Sequence, residues 1–553
     1  MSLRQYRWVI AGIVVCLLTA ALAGGWAAVS VNSLFSYRSP LRASPPAPGQ
    51  SLGHPLTRRV VYVLIDALRD DTSRQADVMP YLNELRARGA SATMHSRPPS
   101  YSQTGYSVLL IGAWPDVSDG PAFNLDYADI PTFTQDNIFS AAHRAGLKTA
   151  VSGYYWFEKL IPQADVSASF YTPGEDKAAD RAVVDAALPW LKSGDYAFVL
   201  IHIDQVDYAG HHEGGPQGPG WKAAARRADD LLREIVAPLD LSQDTLLVTS
   251  DHGQIDQGGH GGSDPITLLE PFVLVGAGVK PGPAPDVQMV DVAPTLATLL
   301  GTNLPATAQG RPRGEMLALS PEQASGMYAA WSAQQAKMAD AYLAALGVPP
   351  IPRFDADPAA YQVTIADLKA ARLSQERLVR VPPVVILWLI PLVLLVVRRT
   401  RAVAWAVAGT LVYLVLFNLR YALLDHHAYS FSTILNTTDL ALYIAVTSIL
   451  ALTIVWGIVL ASGGGFRQGG RRAAENTLLL AAVTLYALSL PVGFSLALNG
   501  LTATWTLPDL ASVYLALLSA IQMAVVGIWA LALTGLAALI GVLILSRSKP
   551  ARP

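Results

Sequence analysis

Long apolar runs dominate the C-terminal part of the chain, and they restrict its fold more than any other feature. Five of them follow Arg380, at residues 381–397, 402–424, 439–461, 477–498 and 508–545. Because a bilayer offers no hydrogen bonds to the backbone, runs of this length predict membrane-spanning helices. The last run is longer than one crossing needs, and we count it once because two crossings would export the basic C-terminal tail.

A further apolar run, at residues 8–29, follows Arg4 and Arg7. Its length predicts an uncleaved anchor at residues 1–30 and brings the number of membrane helices to six. The small residues Ala20, Ala21 and Ala23 also fit a cleaved signal peptide, but the run is longer than the usual apolar region of one. Residues 31–57, rich in Pro, Ser and Gly, are predicted to be a linker.

Basic residues flank the apolar runs in three clusters of the C-terminal part. By the positive-inside rule, these clusters and both termini are predicted to be cytoplasmic, and the domain after the linker to be extracytoplasmic. The three clusters are Arg398, Arg399 and Arg401; Arg467, Arg471 and Arg472; and Arg547, Lys549 and Arg552.

Composition agrees with an integral protein of the cytoplasmic or plasma membrane. Hydrophobic residues make up 52% of the chain, and its mean hydropathy is +0.33. The formal net charge of −2 gives no reason to expect nucleic acid as a partner. Cys16 is the only cysteine, which excludes internal disulfides and a cysteine-based zinc site.

Residues 58–375 alternate short apolar runs with amphipathic stretches, a pattern typical of an α/β domain. The membrane domain is expected to follow at residues 376–553. Strands are predicted to end at Asp66, Gly153, Asp204, Asp251 and Gly276, and helices are predicted at residues 79–88, 136–145 and 222–235. In open α/β sheets, ligands bind beyond the carboxyl ends of the strands. Acids at several strand ends therefore predict one shared site.

The segment DHGQIDQGGHGG, residues 251–262, follows one of these predicted strands. It brings one carboxylate and two imidazoles, from Asp251, His252 and His260, into a short glycine-rich span. Oxygen and nitrogen donors of this kind suit a zinc-class cation. Glycine lets the backbone adopt positive φ and approach the site closely.

Two other segments supply further ligand types. Asp66 ends the first predicted strand, where an aspartate taken alone is more often a helix cap. Asp207 and His211 lie four residues apart in HIDQVDYAGHHEG. The inventory of three aspartates and three histidines is enough for two metal ions, which can clamp the attacking and leaving oxygens of a displacement at phosphorus.

A nucleophile is then expected, and the segment RPPSYSQTGYS contains several hydroxyl groups. The candidates are Ser100, Ser102, Thr104 and Ser107, just before or within the start of a helix. A helix N-terminus can support phosphoryl oxygens, although Ser and Thr at such positions also serve as ordinary caps. Spacing alone does not choose among the four.

The order of these motifs resembles the alkaline phosphatase superfamily. Within it, VLIDALRDD, PPSYSQTG, DYAGHHEGGP and SDHGQIDQGGHGG are similar to motifs of the GPI ethanolamine phosphate transferases. The motif resemblance covers residues 59–310, and the membrane part is similar in architecture only. It implies an alkaline-phosphatase-like α/β fold, a mixed sheet sandwiched by helices, together with a helical transmembrane domain.

The resemblance also implies roles for single residues. Ser102 matches the nucleophile and would lie against a metal ion held by Asp66, Asp251 and His252. A second ion would be held by Asp207, His211 and His260. The ions would be two divalent cations, zinc or alternatively manganese. Gln103 and Thr104 differ from the residues usual after the nucleophile, which leaves the donor and acceptor open.

The resulting expectation is a membrane-bound phosphotransferase that moves a phospho-alcohol group, such as phosphoethanolamine, onto a lipid or glycan acceptor through a phosphoryl-Ser102 intermediate. The substrate partner would be a membrane lipid or glycolipid, and nothing indicates a protein partner. One alternative is a hydrolase of the nucleotide pyrophosphatase/phosphodiesterase type. An alternative of another class is a catalytically inactive metal-binding receptor or accessory protein, although none of the six ligands is missing.

Overall fold

The computed structural model describes residues 6–398 and 400–547. They divide into two compact units. The globular unit contains Leu34–Ala371 and Thr504–Leu507, and the helical unit contains the chain up to Ser33, Arg372–Ala503 and the chain from Pro508 onward.

The α-helices are named here in chain order. They are α1 (Arg7–Phe35), α2 (Asp70–Ser73), α3 (Pro80–Arg88), α4 (Ser102–Ile111), α5 (Ile138–Arg144), α6 (Trp156–Leu160), α7 (Lys177–Ser193), α8 (Gln205–His212), α9 (Pro219–Val236), α10 (Val292–Leu300), α11 (Pro321–Ala345), α12 (Ala359–Val397), α13 (Arg401–Asn418), α14 (Thr437–Ser462), α15 (Gly470–Asn499) and α16 (Leu510–Arg547).

Within the described residues, the globular unit is built on a nine-stranded mixed sheet in the order β4-β3-β5-β1-β6-β7-β2-β8, with β9 also paired to β2. The strands from β4 to β6 are parallel, and β7 is antiparallel to both of its neighbours. The strands are β1 (Arg59–Ile65), β2 (Ala90–His95), β3 (Thr149–Tyr154), β4 (Ala168–Thr172), β5 (Phe198–Ile203), β6 (Asp244–Thr249), β7 (Leu269–Gly276), β8 (Gly282–Pro283) and β9 (Val287–Gln288).

The central strand β1 shows why both faces of the sheet are covered. All of its residues are buried, and alternate residues enter different cores: Val60, Tyr62 and Leu64 pack in one, whereas Val61 and Val63 pack in the other. Alternate side chains of a strand point to opposite faces, so a continuous apolar run needs cover on each. The predicted mixed sheet between helices is confirmed.

Most predicted elements lie where the patterns put them. The predicted helices correspond to α3, α5 and α9, and the predicted strand ends correspond to β1, β3, β5, β6 and β7. The prediction did not include β2 and β4. Their residues are only partly buried, so their sequences lack the continuous apolar run of the central strands.

The helical unit contains long apolar helices. Among the described residues, six segments are long and apolar enough to cross a membrane: Arg7–Phe35, Ala359–Val397, Arg401–Leu424, Thr437–Ser462, Gly470–Asn499 and Leu510–Ser546. These six segments support an integral membrane protein. The last predicted apolar run, residues 508–545, corresponds to the single helix α16, as expected. The basic residues Arg4, Arg399, Lys549 and Arg552 lie outside the described residues.

Helix α12 begins well before its apolar run, so the predicted domain boundary at residue 375 falls inside it.

Inside the helical unit, polar side chains pair with one another. The Tyr413 hydroxyl donates to Gln522 Oε1 at 3.0 Å, and the hydroxyls of Thr410 and Thr484 lie 3.0 Å apart. Such pairing removes the cost of placing polar groups in an apolar medium.

Candidate active site

The candidate site lies beyond the carboxyl ends of three adjacent parallel strands. Asp66 follows β1, Asp207 lies on α8 just after β5, and Asp251 follows β6. Because β5, β1 and β6 are neighbours in the sheet, these three acids come to the same edge. The predicted convergence of strand-end acids is present in the structure.

The first group of side chains surrounds His252. Its Nε2 lies 3.3 Å from Asp66 Oδ1, 3.4 Å from Asp251 Oδ2 and 3.1 Å from Ser102 Oγ. All four residues are buried, with Ser102 the most exposed at 5%. Asp66, Asp251 and His252 form one of the groups of side chains close enough together to hold a metal ion.

The second group contains Asp207, His211 and His260. The two imidazoles approach through their Nε2 atoms at 3.0 Å. Asp207 Oδ2 lies 3.4 Å from His211 Nε2, and Asp207 Oδ1 lies 3.5 Å from His260 Nε2. The His260 ring also stacks on the His252 ring at 3.9 Å, so the two groups adjoin. Asp207 and His260 are also close enough to His252 to hold a metal ion with it.

The structure therefore brings all seven predicted site residues together. A cavity of about 140 Å³ opens onto five of them, whereas Asp251 and His252 are buried behind it. The five are Asp66, Ser102, Asp207, His211 and His260.

The four candidate hydroxyls differ in their surroundings. Ser100 Oγ is 3.2 Å from the Gly262 carbonyl oxygen and accepts from the Gly261 amide, and Ser107 Oγ donates to the Gln103 carbonyl oxygen within α4. Thr104 is buried, and its hydroxyl has no hydrogen bond in the described chain. Of the four, only the hydroxyl of Ser102 contacts an imidazole of the site.

Backbone carbonyls orient the two stacked imidazoles. His260 Nδ1 is 2.9 Å from the Ser100 carbonyl oxygen, and His252 Nδ1 is 3.1 Å from the Gly253 carbonyl oxygen. A carbonyl oxygen accepts only, so each Nδ1 carries the proton and each Nε2 keeps its lone pair. This is the arrangement in which a histidine binds a metal ion.

Two buried oxygen atoms test whether a cation fits this site. Asp66 Oδ1 and Asp251 Oδ2 have no hydrogen-bond partner in the described chain, although both side chains are almost fully buried. Burying carboxylate oxygens without a partner is costly unless a cation or a proton compensates them. Oxygen and imidazole donors around these two atoms therefore fit divalent metal binding.

The electrostatics of the protein groups lead to the same conclusion. Burial, together with the charges of Asp66 and Asp207, raises the pKa of Asp251 well above its usual value. Burial and the neighbouring His252 lower the pKa of His260 to about 3, whereas Asp207 raises the pKa of His211 to about 9. The carboxylates repel one another at this edge of the sheet, and a bound cation would relieve that repulsion.

Two glycines allow the elements of the site to approach one another. A Cβ on Gly105 of α4 would lie 2.6 Å from the Asp251 carbonyl oxygen, so glycine lets this helix pack directly on the metal-binding segment. Gly258 has φ of 101°, and a Cβ there would lie 1.9 Å from the Gly210 carbonyl oxygen. The expected positive φ and close approach are found here.

Sequence reasoning missed the side chains that support the ligands. Tyr106 donates a short hydrogen bond to Asp66 Oδ2, and His202 Nε2 lies 3.0 Å from the same oxygen. Gln254 donates to Asp207 Oδ1 at 2.7 Å and accepts from Trp221 Nε1 at 2.9 Å. All three supporting side chains lie in or beside the quoted motif segments, but a tyrosine in a helix, a glutamine in a loop or a histidine inside an apolar strand is usually structural.

Replacing Tyr106 with phenylalanine should lower metal affinity about 10-fold or more, because the hydrogen bond that holds Asp66 Oδ2 is lost. Titration of the metal-free protein with zinc would measure this change. Tyr62→Phe is the matched control, since it removes a buried hydroxyl that bonds to Thr249 rather than to a ligand. Equal zinc affinity in the two variants would show that Tyr106 does not position Asp66.

The motifs of the site lie in a part of the chain that is similar in sequence to known proteins. Residues 60–260 match the family model of type I phosphodiesterases/nucleotide pyrophosphatases. Over 320 residues the chain is 29% identical to the human GPI ethanolamine phosphate transferase 2 catalytic subunit, covering 51% of this chain and 32% of that protein. It is also 25% identical to GPI ethanolamine phosphate transferase 2 of Aspergillus fumigatus, covering 46% of this chain and 36% of that protein.

Each of these two matches with a GPI ethanolamine phosphate transferase spans well under half of the length of that transferase. Among solved structures, human ectonucleotide pyrophosphatase/phosphodiesterase 5 is similar with 16% identity and a TM-score of 0.37, covering 44% of this chain and 95% of that one. A phosphonate monoester hydrolase from Silicibacter pomeroyi is similar with 15% identity and a TM-score of 0.36, covering 48% of this chain and 77% of that one. The family-model match and the curated relatives confirm the resemblance predicted from the motifs.

Proposed function

We propose that this relative of the GPI ethanolamine phosphate transferases is a membrane-bound, metal-dependent phosphotransferase. It moves a phospho-alcohol group such as phosphoethanolamine onto a lipid or glycan acceptor. The observation that carries the proposal is the contact of 3.1 Å between Ser102 Oγ and His252 Nε2, at the centre of a buried group of acids and imidazoles. The curated relatives support the same chemistry.

Each of the predicted site residues has a role in this proposal. One metal ion is held beside Ser102 by Asp66, Asp251 and His252. A second metal ion is held by Asp207, His211 and His260. Mixed carboxylate and imidazole donors favour zinc, with manganese as the alternative. Bound divalent ions would lower the pKa of the Ser102 hydroxyl and neutralise charge on phosphoryl oxygens.

The protein's own residues carry out the transfer in two displacements. The Ser102 hydroxyl loses its proton as the bond from Oγ to phosphorus forms, the bond from phosphorus to the donor's alcohol oxygen breaks, and that departing oxygen takes up a proton to leave as the free alcohol. The acceptor hydroxyl then loses its proton and attacks phosphorus, the bond from phosphorus to Oγ breaks, and Ser102 regains a proton. Ser102 lines the cavity, so donor and acceptor groups that fill the cavity would displace water from the reacting oxygen, which favours transfer over hydrolysis.

Membrane anchoring suits a lipid-linked substrate. The six apolar helices would anchor the chain in the bilayer, which contains the phospholipid donor and the glycolipid acceptor. By the positive-inside rule, the globular unit is extracytoplasmic and both termini are cytoplasmic. The predicted domains of residues 1–30, 31–57, 58–375 and 376–553 are the anchor, linker, catalytic part and membrane part of this proposal.

A phosphodiester hydrolase is the second candidate, because the family model that matches residues 60–260 describes phosphodiesterases. Product analysis separates the two functions. The purified full-length protein, supplied with zinc and phosphatidylethanolamine labelled in its head group, should transfer the label to added glycolipid. Release of free phosphoethanolamine whether or not acceptor is present would indicate a hydrolase. Failure to cleave any phosphodiester with zinc bound would favour a metal-binding receptor.

A further inference from the structure

One wall of the site cavity carries acidic and aromatic side chains that the roles above leave unused. Tyr154, Trp156, Glu175 and Asp204 line the same cavity as Ser102. Tyr154 ends β3, Trp156 begins α6, Glu175 lies after β4, and Asp204 comes directly after β5. Since β4, β3 and β5 are adjacent in the sheet, this wall is continuous along the edge and leads up to β1 and Asp66.

Asp204 is the most notable member of the wall. It is only 7% exposed, yet in residues 6–398 and 400–547 no side chain or backbone amide donates a hydrogen bond to its carboxylate and no Lys or Arg pairs with it. A carboxylate that faces a narrow cavity with no donor beside it is poorly solvated unless a cation or a donor enters that cavity. Because this carboxylate lines the cavity, a cation entering the cavity would provide the missing partner.

Glu175 is held in place by one hydrogen bond. The Tyr154 hydroxyl donates to its Oε1 at 2.5 Å, which leaves Oε2 without a hydrogen-bond partner in the described chain. The Tyr154 and Trp156 rings meet edge to face with centroids 4.8 Å apart. The wall therefore combines two carboxylates with a rigid pair of aromatic rings.

The residues that line the cavity include no lysine or arginine. Among the described residues, the cavity-lining imidazoles of His211 and His260 belong to the proposed second metal group. An ammonium group on the ligand would therefore be the partner for Glu175 and Asp204. Carboxylates beside aromatic faces are the groups that bind organic ammonium ions, through charge-assisted hydrogen bonds and cation–π contacts.

We propose that Glu175 and Asp204, beside the rings of Tyr154 and Trp156, bind the ammonium group of the transferred head group and select a primary amine over a neutral alcohol. The inference rests on the proposed function, because it assigns the specificity of the same site. A phosphodiester whose phosphorus lies at Ser102 would extend its ammonium-bearing arm along this wall.

A third metal ion is the competing occupant, because Asp66, His202 and Asp204 are close enough together to hold one. The geometry favours the ammonium group. His202 Nε2 is already 3.0 Å from Asp66 Oδ2 and 2.9 Å from the Tyr106 hydroxyl, so only its Nδ1, which has no hydrogen-bond partner among the described residues, is left to bind a third ion. The metal alternative also leaves Glu175 and the aromatic rings without a role.

Two chromogenic phosphodiesters test the proposal with the full-length, zinc-loaded protein. One is p-nitrophenyl phosphoethanolamine, and the other is p-nitrophenyl 2-hydroxyethyl phosphate, which replaces the ammonium group with a hydroxyl. The wild type should prefer the first. Glu175→Gln should reduce the ratio of the two kcat/KM values about 10-fold or more, because a charge-assisted contact is lost. Asp204→Asn should reduce it similarly, and the exposed control Glu84→Gln should not change it.

The outcomes separate this inference from the proposed function. If the wild type cleaves neither substrate, the proposed function itself fails. If it cleaves both substrates equally well, or if the ratio is unchanged in both Glu175→Gln and Asp204→Asn, the function stands and the ammonium site is wrong. If Asp204→Asn loses one metal ion per chain with an unchanged ratio, the wall holds a metal ion and the inference is overturned.

Discussion

Ser102→Ala should lower turnover at least about 10³-fold, because Ser102 is the one serine or threonine of the described α4 segment whose hydroxyl contacts His252. The fold should be retained, since Ser102 Oγ bonds only to His252 among the described residues. Phosphodiester cleavage by purified wild-type and variant protein, with melting curves as a check on folding, measures both effects.

The control for this change lies in the same helix. Ser107→Ala removes a buried hydroxyl that donates to the Gln103 carbonyl oxygen, and it should reduce activity only slightly. Mass spectrometry after incubation with native membranes should find the adduct on Ser102 in the wild type and none in Ser102→Ala, and the mass of the adduct identifies the donated group. Full activity of Ser102→Ala would reject Ser102 as the nucleophile.

His211→Ala should remove one of the two metal ions proposed above and reduce turnover about 10²-fold or more. Its Nε2 lies 3.4 Å from Asp207 and 3.0 Å from His260, so no nearby imidazole can replace it without a change in the backbone. The metal content of the purified protein, measured by elemental analysis, should be two ions per chain in the wild type. Removing the metal with a chelator should abolish activity, and adding zinc should restore it.

The adjacent His212 offers a matched control for this experiment. It is exposed, and its ring packs on Tyr208 with centroids 4.5 Å apart, whereas its centroid lies 6.4 Å from that of His211. His212→Ala should therefore keep both the metal content and the activity of the wild type. If His211→Ala also binds two ions with unchanged affinity, the second metal site proposed here is wrong.

The regular patterns of the chain were enough to predict most of its architecture. Continuous apolar runs predicted the central strands, and the structure shows why: β1 contributes Val60 to one core and Val61 to the other. Strands β2 and β4 were not predicted, because strands that are only partly buried carry a weaker apolar pattern.

The residues of the candidate site were also only partly predictable from the sequence. Asp66 and Asp251 could be predicted to converge because they end strands of one parallel sheet. The residues alone did not select Ser102, which was chosen by resemblance. The structure distinguishes it from Ser107, whose hydroxyl turns back to its own helix.

The sequence by itself determined which residue types were available and which strand or helix carried them, because apolar periodicity and strand-end acids depend on local order along the chain. Only the tertiary structure decided which side chains face one another. Tyr106 and His202 meet at Asp66 although 96 residues separate them. Such contacts depend on how the helices pack against the sheet, and no spacing along the chain encodes that packing.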